Sequence, residues 1–213
     1  MKYLILQYPY DYIEIALCKN GKILSQVTES KLHSVGLTIP HIESILQNEN
    51  SSLQELSFIA VNTGPGPYNT LRSLITTANG IHFATKTPLI SLDALNLMLH
   101  QAEVPTVAIL NAFANHVFYA FSTPKNKEQG YCSIESIIHK INQHESLTLI
   151  GNGVKTYQST LLQKAKNIII PEDYPQFNSL ESLAIAAYKA YAEKQIAPSY
   201  LMPKYLQSPA IKK

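Results

Sequence analysis

The residues that could do chemistry are few. Gly64-Pro65-Gly66 stands between an apolar run and a helical pattern, where amides freed at a helix start could hold an anion. It is neither a P-loop nor a dinucleotide fingerprint, since the lysine and the required glycine spacing are missing. The other reading is a tight strand-to-helix turn, with glycines supplying unusual φ and prolines stiffening the chain. Gly151 and Gly153 repeat the signal more weakly. The histidines, His33, His41, His82, His100, His116, His139 and His144, contain no i, i+4 pair, and His139 and His144 diverge on a helix. Cys18 and Cys132 are isolated, with neither a disulfide framework nor metal-ligand spacing. No Gly-x-Ser-x-Gly string occurs. Asp11, Glu14, Glu29, Glu43, Asp93 and Glu103 each have an ordinary role on a surface, turn or cap. No catalytic residue, cofactor or metal is therefore expected, and a binding or scaffold protein is favoured over an enzyme.

The elements that hold these residues read as α/β. Residues 2–9 form a short apolar strand; Ile13, Ile15 and Leu17 then alternate with Tyr12, Glu14 and Ala16, the period of a half-buried strand. Asn20-Gly21 tolerates the two positive φ angles of a tight hairpin, with 23–28 as the returning strand. Over 34–47, Val35, Ile39, Ile42, Ile45 and Leu46 fall near helical spacing, with Pro40 inside the stretch. A strand at 57–62, the Gly-Pro-Gly turn, a helix over 67–85 and a strand at 88–92 follow, and Asp93 can cap a helix reaching Gln101. The second half offers strands at 106–112 and 116–122, a polar loop over 123–130, a helix from Ile134 to Ile141, and a strand into Gly151-Asn152-Gly153. A helix at Tyr157–Leu162 and a strand at 167–170 come next. Asn178 and Glu181 have capping-box spacing before a last helix through Tyr191, and the proline-bearing tail reads as extended. The boundary falls near 101–105, predicting domains 1–102 and 103–213.

Composition excludes several classes. With 213 residues, 46% apolar and a formal charge of +2, the chain is neither disordered nor a strongly electrostatic nucleic-acid binder. No apolar run reaches the roughly 18–20 residues of a membrane span. The start is too polar for a secretory signal, so the expected location is cytoplasmic. Only 15% of residues are charged, against about 25% in an average domain, and a charge-poor surface fits contact with another protein.

Several strings resemble the TsaB (YeaZ) family of the bacterial machinery that makes threonylcarbamoyladenosine in tRNA. The family's Gly-Pro-Gly-Ser-Phe-Thr-Gly-Leu-Arg is similar to 64–72 here, with Gly64, Pro65, Gly66, Leu71 and Arg72 shared. His33-Ser34, Leu37, Pro40, Ile42 and Ile45-Leu46 resemble its first helix, and Gly151-Asn152-Gly153 its Gly-x-Gly turn. Pro203-Lys204-Tyr205-Leu206-Gln207 resembles its ending, with Gln207 in place of arginine. The chain departs at Leu6-Gln7-Tyr8-Pro9, where the family has Ile-Asp-Thr-Ser; at Asn111-Ala112-Phe113, where it has Asp-Ala-Arg; and at His116, where it has Glu. Ala94 and Met98 fall near the metal-binding histidines of the catalytic relative, TsaD.

The resemblance implies a two-lobed actin-like (ribonuclease H-like, sugar-kinase-type) ATPase fold, with mixed sheets, flanking helices and a reduced second lobe. It implies a non-catalytic scaffold that self-associates when alone, pairs with a TsaD-type catalytic subunit, is joined by a TsaE-type ATPase, and meets tRNA only indirectly. Pairing would use the first two helices, with Leu37, His41, Ser44, Ile45, Leu71, Arg72, Ile75, Asn79 and His82 as interface candidates. Ile75→Glu would then weaken pairing without unfolding the lobe. The alternative is a small actin-like-fold ATPase or kinase using the Gly64–Gly66 turn, although Gln7 cannot supply the acidic group that such ATPases place after the first strand.

Overall fold

The computed structural model describes residues 1–30, 34–100, 102–124 and 127–207; His33 and Gln101 lie outside these. The chain forms two units. Among the described residues, the first holds Met1–Asp93 and Asn178–Lys204; the second holds Ala94–Phe177 and residues 205–207. The division thus falls at Asp93/Ala94 rather than at 102/103, and the last helix, expected in the second half, belongs to the first unit.

The first unit carries β1 (Lys2–Gln7), β2 (Tyr12–Lys19), β3 (Lys22–Ser30), α1 (Ser34–Asn48), β4 (Leu56–Asn62), α2 (Tyr68–Thr85), β5 (Leu89–Leu92) and α7 (Leu180–Ala192). Its sheet runs β3-β2-β1-β4-β5. The first three strands are antiparallel, and β1, β4 and β5 are parallel. Asn20 and Gly21 turn the β2–β3 hairpin at φ 51° and 83°, as their residue types predict.

Both faces of this sheet are covered. Leu4, Leu6, Ile13, Ile15, Leu17, Ile59 and Val61 face α1 and α2, which contribute Ile42, Ile45, Leu46, Leu71, Leu74, Ile75 and Ala78. Tyr3 and Phe58 stand on the other face, where Tyr3 donates to the Ala184 carbonyl of α7 at 2.8 Å. The Tyr3, Phe58 and Tyr191 rings stack at 4.3 and 4.6 Å. The α7 N-cap is Ser179, whose hydroxyl accepts from the Ser182 N–H at 3.2 Å, not the Asn178–Glu181 box that spacing predicted.

The second unit holds α3 (Ala94–His100), β6 (Thr106–Asn111), β7 (His116–Ser122), β8 (Gln129–Ser133), α4 (Ile134–Ile141), β9 (Leu147–Ile150), α5 (Asn152–Thr156), α6 (Gln158–Lys164) and β10 (Ile168–Ile169). Its order, β10-β9-β6-β7-β8, with antiparallel β6-β7-β8 and parallel β6-β9-β10, repeats the topology of the first. The reduction lies in strand length, since β9 has 4 residues and β10 has 2. Strand β8 occupies the end of the segment expected to be loop. Among the described residues, no helix is long and apolar enough to cross a membrane.

Candidate functional site

The carboxyl end of a parallel strand pair is where open α/β sheets bind ligands, and here that end is closed on itself. Gln7 ends β1 and is buried. Its Nε2 donates to a Glu14 carboxylate oxygen and, at 2.9 Å, to the Asn178 carbonyl. Its Oε1 accepts from Asn62 Nδ2 at 3.4 Å, and Asn62 Oδ1 accepts from the Gly64 N–H at 3.1 Å. Both Gln7 donors are thus committed within the protein.

Glu14 is the one carboxylate in this chain of contacts. Burial raises its pKa, the Gln7 hydrogen bond opposes the rise, and the Glu181 charge adds to it. A carboxyl whose native pKa is raised holds its proton more tightly folded than unfolded. Its contribution is therefore fully present below the unfolded pKa and lost as pH rises through the native one. Glu14→Gln, which keeps the acceptor for Gln7, is expected to gain up to about 1 kcal/mol at neutral pH, after discounting for solvent screening. The gain disappears in acid. Urea unfolding of both proteins at pH 4 and pH 7.5 measures it; an equal gain at both values would dissociate it from the carboxyl charge.

The Gly64-Pro65-Gly66 turn packs against the chain itself at Gly64. Gly64 has φ 108°, and a Cβ there would meet Leu71 Cδ2 at 2.9 Å and the Lys204 carbonyl at 3.6 Å. The Lys204 N–H donates to the Thr63 carbonyl at 2.9 Å, and its ammonium pairs with Asp93. The Gly64 amide donates to Asn62 and so faces the protein, while a Cβ on Gly66 would meet nothing within 4 Å.

Gly151 and Gly153 also serve packing. A Cβ on Gly151 would lie 2.2 Å from the Ile109 carbonyl oxygen, and one on Gly153 would lie 2.7 Å from Ile109 Cγ2. The nearby β6–β7 turn is held by Asn111, whose N–H donates to Asn152 Oδ1 at 3.0 Å and whose Oδ1 accepts from the Phe113 N–H at 3.0 Å. The thiols are poor nucleophiles: burial pushes Cys18 up to about 12 and Cys132 up to about 11. Among the described residues, no group of three or more His, Cys, Asp or Glu is placed to hold a metal ion.

The interface candidates on α1 and α2 separate by burial. Ile45, Leu71 and Ile75, at 3%, 4% and 3% exposure, lie in the unit's own core. They have no surface for a partner, which corrects their assignment. Leu37, Ser44 and Arg72 are exposed and His41 is half-buried. His41 Nε2 stands 3.3 Å from Glu29, whose pKa is lowered first by the Ser30 N–H and then by His41. Arg72 donates to the Tyr68 hydroxyl at 3.1 Å, with its guanidinium 4.8 Å over that ring. Asn79 and His82 are half-buried and occupied: Asn79 bonds the Leu201 backbone, and His82 Nδ1 lies 2.8 Å from the Thr87 carbonyl.

Sequence reasoning passed over the larger exposed groups. Ile39 is 53% exposed, Tyr68 53% and Phe83 70%. The signal was present in Ile39, which helical spacing grouped with Ile42 and Ile45. The buried row actually runs through Thr38, Ile42, Ile45 and Leu46, leaving Ile39 outside it.

Comparison with known proteins places this geometry. The family model described as TsaD, tRNA N6-adenosine threonylcarbamoyltransferase, matches residues 23–213. The TsaB protein of Haemophilus influenzae, a tRNA threonylcarbamoyladenosine biosynthesis protein, is 25% identical over 190 residues, 80% of this chain and 78% of that one. TsaB of Buchnera aphidicola subsp. Baizongia pistaciae is 26% identical over 205 residues, covering 89% and 90%. YeaZ from Pseudomonas aeruginosa superposes with a TM-score of 0.68 at 18% identity, over 94% of this chain and 99% of that one. The chain belongs to the tRNA N6-adenosine threonylcarbamoyltransferase family as a TsaB/YeaZ-type member with the α/β fold of YeaZ, a protein of threonylcarbamoyladenosine synthesis in tRNA.

Proposed function

We propose that this chain is a non-catalytic subunit that pairs with a TsaD-type protein through the outward face of α1 and α2. The observation that carries the reading is the sorting of those helices. Ile45, Leu71 and Ile75 seal the inside, while Leu37, Ile39, Tyr68 and Phe83 remain on the outside. Two helices with an apolar outer face match a helical bundle formed with a partner, where apolar contact gives affinity and polar rims give choice. Ser44 and Arg72 belong to that rim. In the cytoplasm a TsaE-type ATPase would join the pair, and a second copy would take the same face when the catalytic subunit is missing. Gln7, an amide with both of its donors committed within the protein, supports a role without ATP chemistry.

Co-expression with a TsaD-type protein and gel filtration test the pairing. The expected result is co-elution of the two chains, with Ile39→Glu plus Phe83→Glu weakening the Kd at least about 30-fold, the scale of one interface hot spot. Unchanged affinity would remove this face from the pairing. Transfer of threonylcarbamoyl to tRNA by the purified chain alone would overturn the non-catalytic role.

A further inference from the structure

After α7 the chain stays with the first unit as far as Lys204. The Ala197 N–H donates to the Leu89 carbonyl at 2.8 Å, and the Lys204 N–H donates to the Thr63 carbonyl at 2.9 Å. Between these ties, Asn79 of α2 grips Leu201 at both ends: its Nδ2 donates to the Leu201 carbonyl at 3.0 Å, and its Oδ1 accepts the Leu201 N–H at 2.9 Å. Leu201 is 3% exposed and joins the core beneath α2. Leu89 follows the end of α2 and Thr63 precedes its start, so the segment runs antiparallel to the helix. α1 packs on β2 and β3, whereas the segment ties to β5 and β4 at the opposite side of α2. The layer therefore reads α1, α2, strap.

An extended segment that turns one residue inward turns its neighbours outward. Tyr200 and Met202 flank Leu201 at 60% and 75% exposure. Phe83 lies one helical turn beyond Asn79, on neighbouring surface. Three large apolar groups therefore surround one buried anchor. The charges beside them have one sign: α2 and residues 197–207 contain no Asp or Glu. Arg72 lies over Tyr68 at 4.8 Å and Lys86 over Phe83 at 5.0 Å, while Lys204 is spent on Asp93.

We infer that the strap, residues 197–204, is a third ribbon of the partner-binding surface, and that the partner meets it with an apolar strip flanked by carboxylates. The inference rests on the pairing proposed above and adds to it the strap and the sign of the partner's charge. Arg72 and Lys86, the charges that α2 and its C-cap set beside the strap, favour a partner that brings carboxylates to this side of the face. Asn79, a candidate for direct contact, acts instead as a positioning residue that holds the strap in place.

The test is a titration of the full-length chain with the TsaD-type protein by calorimetry, comparing Ile39→Glu with Tyr200→Ser plus Met202→Ser. Leu201 stays in both, so the melting temperature reports that the strap remains seated. The strap variant is expected to bind at least tenfold more weakly with unchanged melting. Full affinity in the strap variant alongside loss in Ile39→Glu overturns this inference and leaves the pairing standing. Full affinity in both overturns the pairing itself. Lys86→Glu is expected to slow association several-fold at low salt; no change overturns the acidic character assigned to the partner.

Discussion

Ile75→Glu is expected to unfold the first unit, whereas Ile39→Glu leaves its melting temperature within a degree or two. Both residues are isoleucines on the two helices assigned to pairing, and the sequence does not tell them apart. Ile75 is 3% exposed among Leu71, Leu74 and the inner face of β1 and β4. Burying an isoleucine side chain is worth roughly 1.5–3 kcal/mol, and that is lost. The incoming carboxylate must also be desolvated with no partner in an apolar cluster, which costs several kcal/mol more or forces it to take a proton. The sum, about 5 kcal/mol, is comparable to the whole stability of an ordinary domain. Ile39, 53% exposed, has already half left the interior, and a surface change there is worth about 0.5 kcal/mol. Circular dichroism melts separate the two. A folded Ile75→Glu protein that had lost only its partner would restore Ile75 to the interface.

The first unit was legible where the period is local. Ile13, Ile15 and Leu17 lie in the core that their alternation assigns them, and Asn20-Gly21 turns where its residue types demand. What escaped was the second layer. Residues 3–6 of β1 are all buried, and a run buried on both faces needs cover on both. α1 and α2 cover one face; the other had to be found a cover, and α7 supplies it from more than 170 residues away, as the Tyr3–Ala184 bond shows. Strand β8, Gln-Gly-Tyr-Cys-Ser, has no apolar alternation and exists through its pairing with β7. Asn79 and Leu201 are 122 residues apart, and nothing local in either announces the clamp.

The glycines show why the candidate site was harder to read than the fold. A glycine bracketing a strand and a helix looks the same whether a ligand or the chain's own backbone comes close. Gly151→Ala resolves the second case. The residue sits at φ 100°, and its missing Cβ would stand 2.2 Å from the Ile109 carbonyl oxygen and 2.9 Å from the Ile109 carbonyl carbon. Neither atom can swing aside, because Ile109 lies inside β6, which is paired to β7 on one side and β9 on the other. Relief would require α5 to lift from the sheet, breaking the bonds from the Gly151 N–H to Pro175 and from the Asn152 N–H to Gln176, at 2.9 and 3.1 Å. The expected loss is about 4 kcal/mol or more, the range in which single substitutions are diagnostic of a clash. Gly21→Ala is the control: its φ of 83° is equally foreign to alanine, but nothing lies within 4 Å of the added carbon. Only the conformational cost, about 1 kcal/mol, remains. Chemical denaturation of the pair therefore weighs backbone contact against backbone conformation, and equal losses in the two variants would show that closeness to Ile109 is not what demands a glycine at 151.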